Sequence, residues 1–267
     1  MAVVICGHHR SGTTLLRNLC TLHPEVTITH ESGAWLNLGE PGILYAVKTL
    51  LRMVRRGHSL LALPKLTTLP GKSTSAAEQY SFLAKFLGYL ALSKVFERVN
   101  SQDLEAIYRR LFPHSKIVGD KYPDYVFHLD TLSTEPLLRC LALVREPKDV
   151  VASVLDKVRS EVWRGDWTRK LDTAEKVAHN WCDAFVSVER NRDRILVVRY
   201  EDLVHEPRTE LDKIAGWLEV DPKGFALSAV HSNSVGKYRL SLTQAETEQV
   251  DRIVSQRLPA SYQGASE

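Results

Sequence analysis

The stretch that decides the fold is AVVICGHHRSGTTLL, residues 2–16 of the 267-residue chain. The apolar run AVVIC predicts a buried strand, and Gly7 and Gly12 have the spacing of a G-x-x-x-x-G-K-[ST] phosphate loop. A helical pattern begins near Thr13, so backbone N–H groups and a helix N-terminus should converge on one anion. Thr13 occupies the position of the loop lysine, and Arg10 can supply a bidentate cation instead.

The missing lysine argues against ATP or GTP hydrolysis, because that lysine bridges the β- and γ-phosphates in nucleotide hydrolases. The loop alone is also compatible with a purely structural strand-to-helix turn. Two functional alternatives stay open at this point: a P-loop phosphotransferase or kinase, and a noncatalytic nucleotide-binding module.

The composition is that of an ordinary globular protein, with 44% hydrophobic and 25% charged residues and a formal net charge of +3. This weak charge does not predict nucleic-acid binding, and no apolar stretch reaches the roughly 18 residues of a membrane span. No signal-peptide pattern precedes the first strand, so we expect a cytoplasmic protein. Four dispersed cysteines predict free buried thiols, the alternative being half-cystines of a secreted protein; they are Cys6, Cys20, Cys140 and Cys182.

Three more apolar runs, KIVGD (116–120), RCLALV (139–144) and RILVVRY (194–200), predict buried strands with helical patterns between them. This alternation predicts a three-layer α/β fold with a central parallel sheet, in a single domain over 1–267. Residues 34–115 lack a clear strand and predict a helical insertion over the strand ends, where such sheets bind ligands. Its apolar face over 43–54 predicts a surface helix, a lid over the acceptor or a membrane contact.

Several segments, in chain order, resemble the sulfotransferases that use 3′-phosphoadenosine 5′-phosphosulfate (PAPS). RSGTTLL (10–16) is similar to their 5′-phosphosulfate loop, and HPEVTITHES (23–32) to the next segment in the tyrosylprotein branch. LVREPKDVVAS (143–153) resembles the 3′-phosphate motif, VRYEDLVHEP (198–207) the adenine-side segment, and SNSVGKYRLSLT (232–243) the C-terminal Gly-x-x-Arg segment. The resemblance implies a P-loop-type sheet flanked by helices, PAPS as co-substrate, PAP as product and no metal.

The resemblance also implies a donor-binding set. Residues 10–14 match the loop around the 5′-phosphosulfate, and Tyr200 matches the tyrosine near the adenine. Arg145 and Ser153 match the pair on the 3′-phosphate. Lys157 lies one helical turn after Ser153. The complete predicted set is Arg10, Ser11, Gly12, Thr13, Thr14, Arg145, Ser153, Lys157, Tyr200, Lys237 and Arg239.

Four residues are predicted to carry the chemistry: Glu31, Lys121, Arg10 and Ser234. Glu31 matches the acid of the tyrosylprotein branch and is the predicted general base, with His30 as its rival. Arg10 and Lys121 would stabilise the leaving phosphate. Ser234 would assist them, although Ser232 is close enough for the alignment to slip. A glutamate with an ordinary pKa near 4.3 is a weak base toward a hydroxyl, so either the site raises that pKa or proton transfer lags behind S–O cleavage.

The prediction of the acceptor starts from Gly33, where the sequence departs from the pattern of the tyrosylprotein branch. That branch has a substrate-binding arginine at this position. A peptide acceptor is therefore not expected. The apolar and basic insertion and the tryptophans of WRGDW (163–167) predict a hydroxyl on a small or hydrophobic molecule: a lipid, a polyketide-like chain or an aromatic. His8 and His9 lack the spacing of metal ligands, so no metal is expected. The chain could belong to a larger multidomain protein.

Overall fold

The computed structural model describes residues 1–55, 76–94, 96–230 and 234–258. Five strands form one sheet in the order β2-β3-β1-β4-β5, and neighbouring strands run parallel. The predicted parallel α/β sheet is confirmed. The strands are β1 Ala2–Cys6, β2 Val26–His30, β3 Ile117–Lys121, β4 Leu138–Val144 and β5 Leu196–Arg199.

Helices cover both faces of this sheet. Successive residues of β1 point to opposite faces, so Val3 and Ile5 pack in one hydrophobic cluster and Val4 and Cys6 in another. This is the predicted three-layer architecture. The helices are α1 Thr13–Leu22, α2 Gly42–Arg55, α3 Ala76–Ser93, α4 Ser101–Leu111, α5 Leu129–Leu132, α6 Pro147–Arg159, α7 Ala174–Arg190, α8 Tyr200–His205, α9 Pro207–Leu218, α10 Tyr238–Ser241 and α11 Gln244–Arg257.

The strand order places two loops side by side. The connection after β1 leads toward the β2 edge of the sheet, whereas the connection after β4 leads toward β5. Open α/β sheets bind ligands in the crevice at such a switch point, outside the carboxyl ends of the strands. The phosphate loop and the start of α6 both lie at this crevice.

Several local predictions are confirmed. The helical pattern near Thr13 and the helical periods at 207–218 (Leu211, Ile214, Ala215 and Leu218) correspond to α1 and α9, and Thr243 with Glu246, an S/T-x-x-E pattern, forms the capping box of α11. All four cysteines are free and buried.

The sequence analysis missed strand β2 and shifted two boundaries. VTITH forms the sheet edge, and its polar threonines hide the continuous apolar run that marks the inner strands. Lys121 is the last residue of β3 instead of following it, and Tyr200 begins α8 instead of ending β5.

Within 34–115, the described residues form helices, a 3₁₀ turn at Ala34–Asn37 and one isolated bridge, and they contain no strand. The structure shows which side of α2 is buried. Its buried side chains include Tyr45 and Thr49, whereas four apolar side chains are between 41% and 52% exposed: Ile43, Leu44, Val47 and Leu51. Tyr45 packs in the same hydrophobic cluster as Phe86, and its hydroxyl donates to the carbonyl of Ala34. Residues 56–75 and 95 of the predicted insertion lie outside the described residues.

None of the described helices is long and apolar enough to cross a membrane.

Candidate active site

The loop between β1 and α1 has the backbone conformation of an anion-binding turn. Gly7, Arg10 and Gly12 have positive φ angles of 148°, 69° and 96°. A Cβ atom on Gly12 would lie 2.5 Å from Cδ2 of Tyr200, so only glycine lets this ring pack against the loop. The structure therefore brings the ring of Tyr200 against the loop. Helix α1 begins at Thr13, directly after Gly12.

Three of the predicted phosphate-binding residues meet beside this loop. Arg10 Nε donates to Ser153 Oγ at 3.0 Å, and Arg145 Nη1 donates to the carbonyl of Arg10 at 3.1 Å. The buried guanidinium of Arg145 also lies 4.5 Å from the ring centre of Tyr200. Partial burial and the neighbouring Arg145 both lower the pKa of Arg10. Two arginines held this close favour an anion between them.

Two buried polar atoms at the same place have no hydrogen-bond partner among the described residues: Ser11 Oγ and Arg145 Nε. Leaving a buried polar atom unpaired costs about 1–3 kcal/mol, so a ligand with acceptor oxygens would stabilise this site. The orphaned donors, the arginines and the glycine cradle together fit a phosphate-bearing ligand.

The C-terminal segment 234–242 docks on the first turn of α6. The buried carboxylate of Asp149 accepts from the N–H groups of Gly236 at 2.8 Å and Tyr238 at 3.0 Å. Arg145 donates to the carbonyl of Ser234. Segment 234–242 therefore lies beside Arg145, and the side chains of Lys237 and Arg239 are exposed there.

The other candidates of the donor set are less tightly placed. The ammonium of Lys157 lies 3.0 Å from Asp156 Oδ2. Thr13 is buried and Thr14 exposed at the start of α1. Ser232, the rival of Ser234, lies outside the described residues.

The predicted base and its cation meet at the ends of two neighbouring strands. Lys121 Nζ lies 2.6 Å from Glu31 Oε1, and the two side chains are 1% and 29% exposed. His30 pairs in register with Lys121, and the N–H of Glu31 donates to the Lys121 carbonyl at 2.7 Å. The structure thus brings Glu31, His30 and Lys121 together.

The electrostatics of this pair bear on the two options for the base. Burial raises the pKa of Glu31, but the charges of Lys121 and then His30 outweigh burial and lower it to about 2. Burial lowers the pKa of Lys121, and Glu31 opposes that shift. The pairing with Lys121 therefore favours late proton transfer over a raised Glu31 pKa.

The two loop histidines have structural partners that the sequence did not reveal. His8 Nε2 lies 2.9 Å from Asn180 Oδ1 on α7, and His9 Nε2 lies 2.8 Å from Asp124 Oδ1. Burial lowers the pKa of His8 to about 4, so its ring is neutral near pH 7. His8 and His9 therefore tie the loop to two other segments. Across the described ranges, no group of three or more His, Cys, Asp or Glu residues could hold a metal ion.

Gly33 has a physical reason to be glycine. Its φ of 65° lies in the left-handed region, and its N–H donates to Asp120 Oδ2 at 3.0 Å. An arginine at this position would be strained by roughly 1–2 kcal/mol. The departure from the tyrosylprotein pattern therefore lies at a backbone conformation that favours glycine.

Two functional residues, Asp120 and Asp149, escaped the sequence analysis. Asp149 has only a weak local signal in the sequence. It is an acidic residue two positions after Pro147, and an acid in the first turn is typical of any helix. Asp120 sits inside an apolar strand, and a buried acid in a strand is itself a signal of a specific polar partner.

Comparison with known proteins gives three findings. Residues 2–223 match the profile described as Sulfotransferase family. Nodulation protein NoeE of Sinorhizobium fredii (strain NBRC 101917 / NGR234) is 26% identical over 244 residues, which are 85% of this chain and 52% of that protein. The chain thus spans about half the length of this curated relative.

Two solved structures share the fold. The sulfotransferase domain from the Synechococcus PCC 7002 olefin synthase superposes with a TM-score of 0.60 at 20% identity, covering 97% of this chain and 95% of that one. The sulfotransferase domain from the curacin biosynthetic pathway gives a TM-score of 0.59 at 17% identity, covering 95% and 96%.

Proposed function

This chain belongs to the sulfotransferase family, and we propose that it transfers a sulfuryl group from PAPS to a hydroxyl on a small or hydrophobic acceptor. One observation carries the choice of donor. Arg10 lies within a phosphate loop that lacks the nucleotide-hydrolase lysine, and Arg145 donates to the Arg10 carbonyl at 3.1 Å. Two buried donors there, Ser11 Oγ and Arg145 Nε, have no hydrogen-bond partner among the described residues. Such a site suits a phosphate-bearing ligand, and the resemblance to the PAPS-dependent enzymes favours PAPS over ATP.

The donor-binding roles are those that the resemblance implies, and the contacts around the loop support them. Backbone N–H groups of residues 10–14 face the 5′ side of the donor, and Arg145 with Ser153 binds the 3′-phosphate. Tyr200, packed on Gly12, forms a wall for the adenine. The arginines supply the positive charge that a magnesium ion supplies in kinases, and a 3′-phosphate on Arg145 separates this donor from ATP.

The reaction is an in-line transfer, in which the donor's S–O bond to phosphate breaks as a new S–O bond forms to the acceptor oxygen. Glu31 takes the acceptor's proton. Since the pKa of Glu31 is about 2, the residue is ionised but weakly basic. It accepts the proton late, once bond formation to sulfur has made that proton acidic. Lys121 and Arg10 stabilise the charge that grows on the departing phosphate, with Ser234 assisting them.

A hydrophobic acceptor is supported by two surfaces. The exposed apolar side chains of α2 belong to a helix that Tyr45 ties to Ala34, three residues after Glu31. The ring of Trp163 lies 5.9 Å from that of His9 and 5.2 Å from that of Trp167, which places aromatic surface next to the phosphate loop. Apolar side chains that border a reactive site favour an acceptor with apolar groups.

The test is a transfer assay with radiolabelled PAPS and a panel of hydroxyl acceptors: phenols, sterols, hydroxyacyl chains, sugars and peptides. We expect labelled product from an acceptor of the first three classes, without added metal. Product from sugars or peptides alone would overturn the acceptor proposal. Phosphoryl transfer from ATP with magnesium would favour the phosphotransferase, and donor binding without transfer to any acceptor would favour the noncatalytic module.

A further inference from the structure

A fully buried carboxylate lies one residue before Lys121 and is not used by the proposed chemistry. Asp120 belongs to β3 and pairs in register with Thr29 of β2. An ionised carboxylate only accepts hydrogen bonds, so its burial requires donors. Four donors surround it: Thr29 Oγ1 at 2.6 Å and Ser32 N at 3.1 Å from Oδ1, and Gly33 N at 3.0 Å and Tyr125 Oη at 2.8 Å from Oδ2.

Three of these contacts lead to the backbone directly after the proposed base. Ser32 and Gly33 donate their own N–H groups to Asp120. Tyr125 forms an indirect link, because its hydroxyl donates to Asp120 and accepts from the N–H of Trp35 at 3.1 Å. One carboxylate therefore holds three of the four residues that follow Glu31.

This turn needs an anchor because its backbone is strained. Glu31 has a φ of 60° and Gly33 a φ of 65°, and a non-glycine residue rarely adopts the first of these. Such conformations persist only where the surrounding structure holds them, and they cluster at functional sites. The 2.6 Å contact between Glu31 and Lys121 depends on this backbone conformation.

We infer that Asp120 is a positioning residue: it holds the turn that directs the Glu31 carboxylate toward Lys121 and the acceptor. The inference rests on the proposed function, because it takes Glu31 as the base. Asp120 acts through the backbone and does not touch the substrate. The charge of Asp120 matters as well as its shape. An asparagine in its place would have one acceptor oxygen and one N–H₂ donor, and that donor would face a donor of the turn or of Tyr125.

A double-mutant cycle tests this role with four proteins: wild type, Asp120→Asn, Glu31→Gln and the double variant. The measurements are kcat, KM for both substrates, and PAP affinity. We expect Asp120→Asn to lower kcat about 10- to 100-fold while PAP affinity changes less than about twofold, because the contacts among Arg10, Arg145 and Ser153 that are assigned to PAP do not involve this turn. When Glu31→Gln is already present, Asp120→Asn should lower kcat by less than a further factor of about three, since both substitutions act through the Glu31 carboxylate.

The outcomes separate the inference from the proposed function. If the two losses multiply in the double variant, Asp120 does not act through Glu31, and the inference is overturned while Glu31 stands as the base. If Glu31→Gln transfers sulfate as fast as the wild type, the proposed base is wrong and the inference falls with it.

Two further variants distinguish a specific effect of Asp120 on kcat from a general loss of stability. Glu105→Gln removes another buried carboxylate, on α4, which pairs with the N-terminus and Arg109. It should lower the melting temperature without a matching loss of kcat, and an equal loss would show that the Asp120 effect is general destabilisation. Tyr125→Phe removes a single donor to Asp120, so we expect a smaller kcat loss that also vanishes in the Glu31→Gln background. Unchanged kcat in a folded Tyr125→Phe protein would contradict the inference.

Discussion

The ammonium of Lys121 contacts the carboxylate of Glu31 at 2.6 Å across the ends of strands β3 and β2. The pair joins a cation that is only 1% exposed to an acid that faces the crevice. Because each charge compensates the burial of the other, removing one partner leaves the other uncompensated. The proposed base and one of the proposed leaving-group cations therefore form a single electrostatic unit.

The first prediction concerns the base. Glu31→Gln should lower kcat by about 10²- to 10⁴-fold, the usual contribution of a general base, and leave PAP affinity within about threefold. Transfer is measured with labelled donor and affinity by calorimetry.

The rival base supplies the matched control for that experiment. His30 is the last residue of β2 and directly precedes Glu31. His30→Gln therefore changes the same region without removing the carboxylate. We expect His30→Gln to retain most of the activity. A large loss for His30→Gln together with a small loss for Glu31→Gln would assign the proton to the histidine.

The second prediction concerns the pKa of Glu31. Its folded-state pKa of about 2 lies below the ordinary value of 4.5, because Lys121 and His30 outweigh burial. In Lys121→Met the largest lowering charge is gone and burial still raises the pKa, so we expect Glu31 to titrate above its wild-type value. Carboxyl NMR shifts of Glu31 in both proteins, followed from pH 7 to below about pH 2, would measure the change. An unmoved titration would mean that Lys121 does not control this acid.

The same shift fixes the sign of a stability effect. A carboxylate with a lowered pKa stabilises the fold at pH values above its unfolded pKa, and that contribution is lost as the pH falls toward about 2. Wild type should therefore lose its stability advantage over Glu31→Gln between about pH 4.5 and pH 2. Denaturant unfolding at several pH values within that window checks the sign.

Sequence analysis recovered the parts of the site that local patterns encode. The strand–loop–helix around Gly7 and Gly12 is a contiguous pattern, and Arg145 with Ser153 was implied by the resemblance of residues 143–153 to the 3′-phosphate motif. In the structure, both groups do meet at one crevice. The fold class followed from alternating apolar runs and helical periods for the same reason.

The remainder depends on contacts between residues that are distant in the sequence. Asp149 holds backbone atoms 87 and 89 positions later, and Asp120 holds atoms 88 and 87 positions earlier. No local period marks such contacts. The burial of Tyr45 on α2 likewise depends on distant residues, because its ring packs near Phe86 and its hydroxyl donates to the carbonyl of Ala34.

The third prediction concerns the 3′-phosphate. Arg145→Ala should weaken PAP binding by about 2–4 kcal/mol, roughly 30- to 1,000-fold, because the 3′-phosphate would lose a buried cationic partner. Binding of adenosine 5′-phosphate, which lacks the 3′-phosphate, should change far less. Equal losses for both ligands would refute the assignment.

A matched control for Arg145 lies in β4, the strand that ends directly before it. Arg139 of β4 is also an arginine stacked on an aromatic ring, 5.5 Å from the centre of Trp217, but it pairs with Glu219 away from the crevice. Arg139→Ala should leave both affinities unchanged.

The last prediction concerns the segment that carries Ser234, Lys237 and Arg239. Asp149→Ala removes the acceptor for two backbone N–H groups of this segment and the acid that lies 3.6 Å from Arg145. Each orphaned N–H costs about 1–3 kcal/mol while the segment stays docked, so the segment should detach from α6. Hydrogen exchange of residues 234–242 should then accelerate, and PAP affinity should fall about 10-fold or more as Lys237 and Arg239 leave the crevice. Faster exchange with unchanged PAP affinity would remove both cations from the donor site, and unchanged exchange would contradict the anchoring role of Asp149.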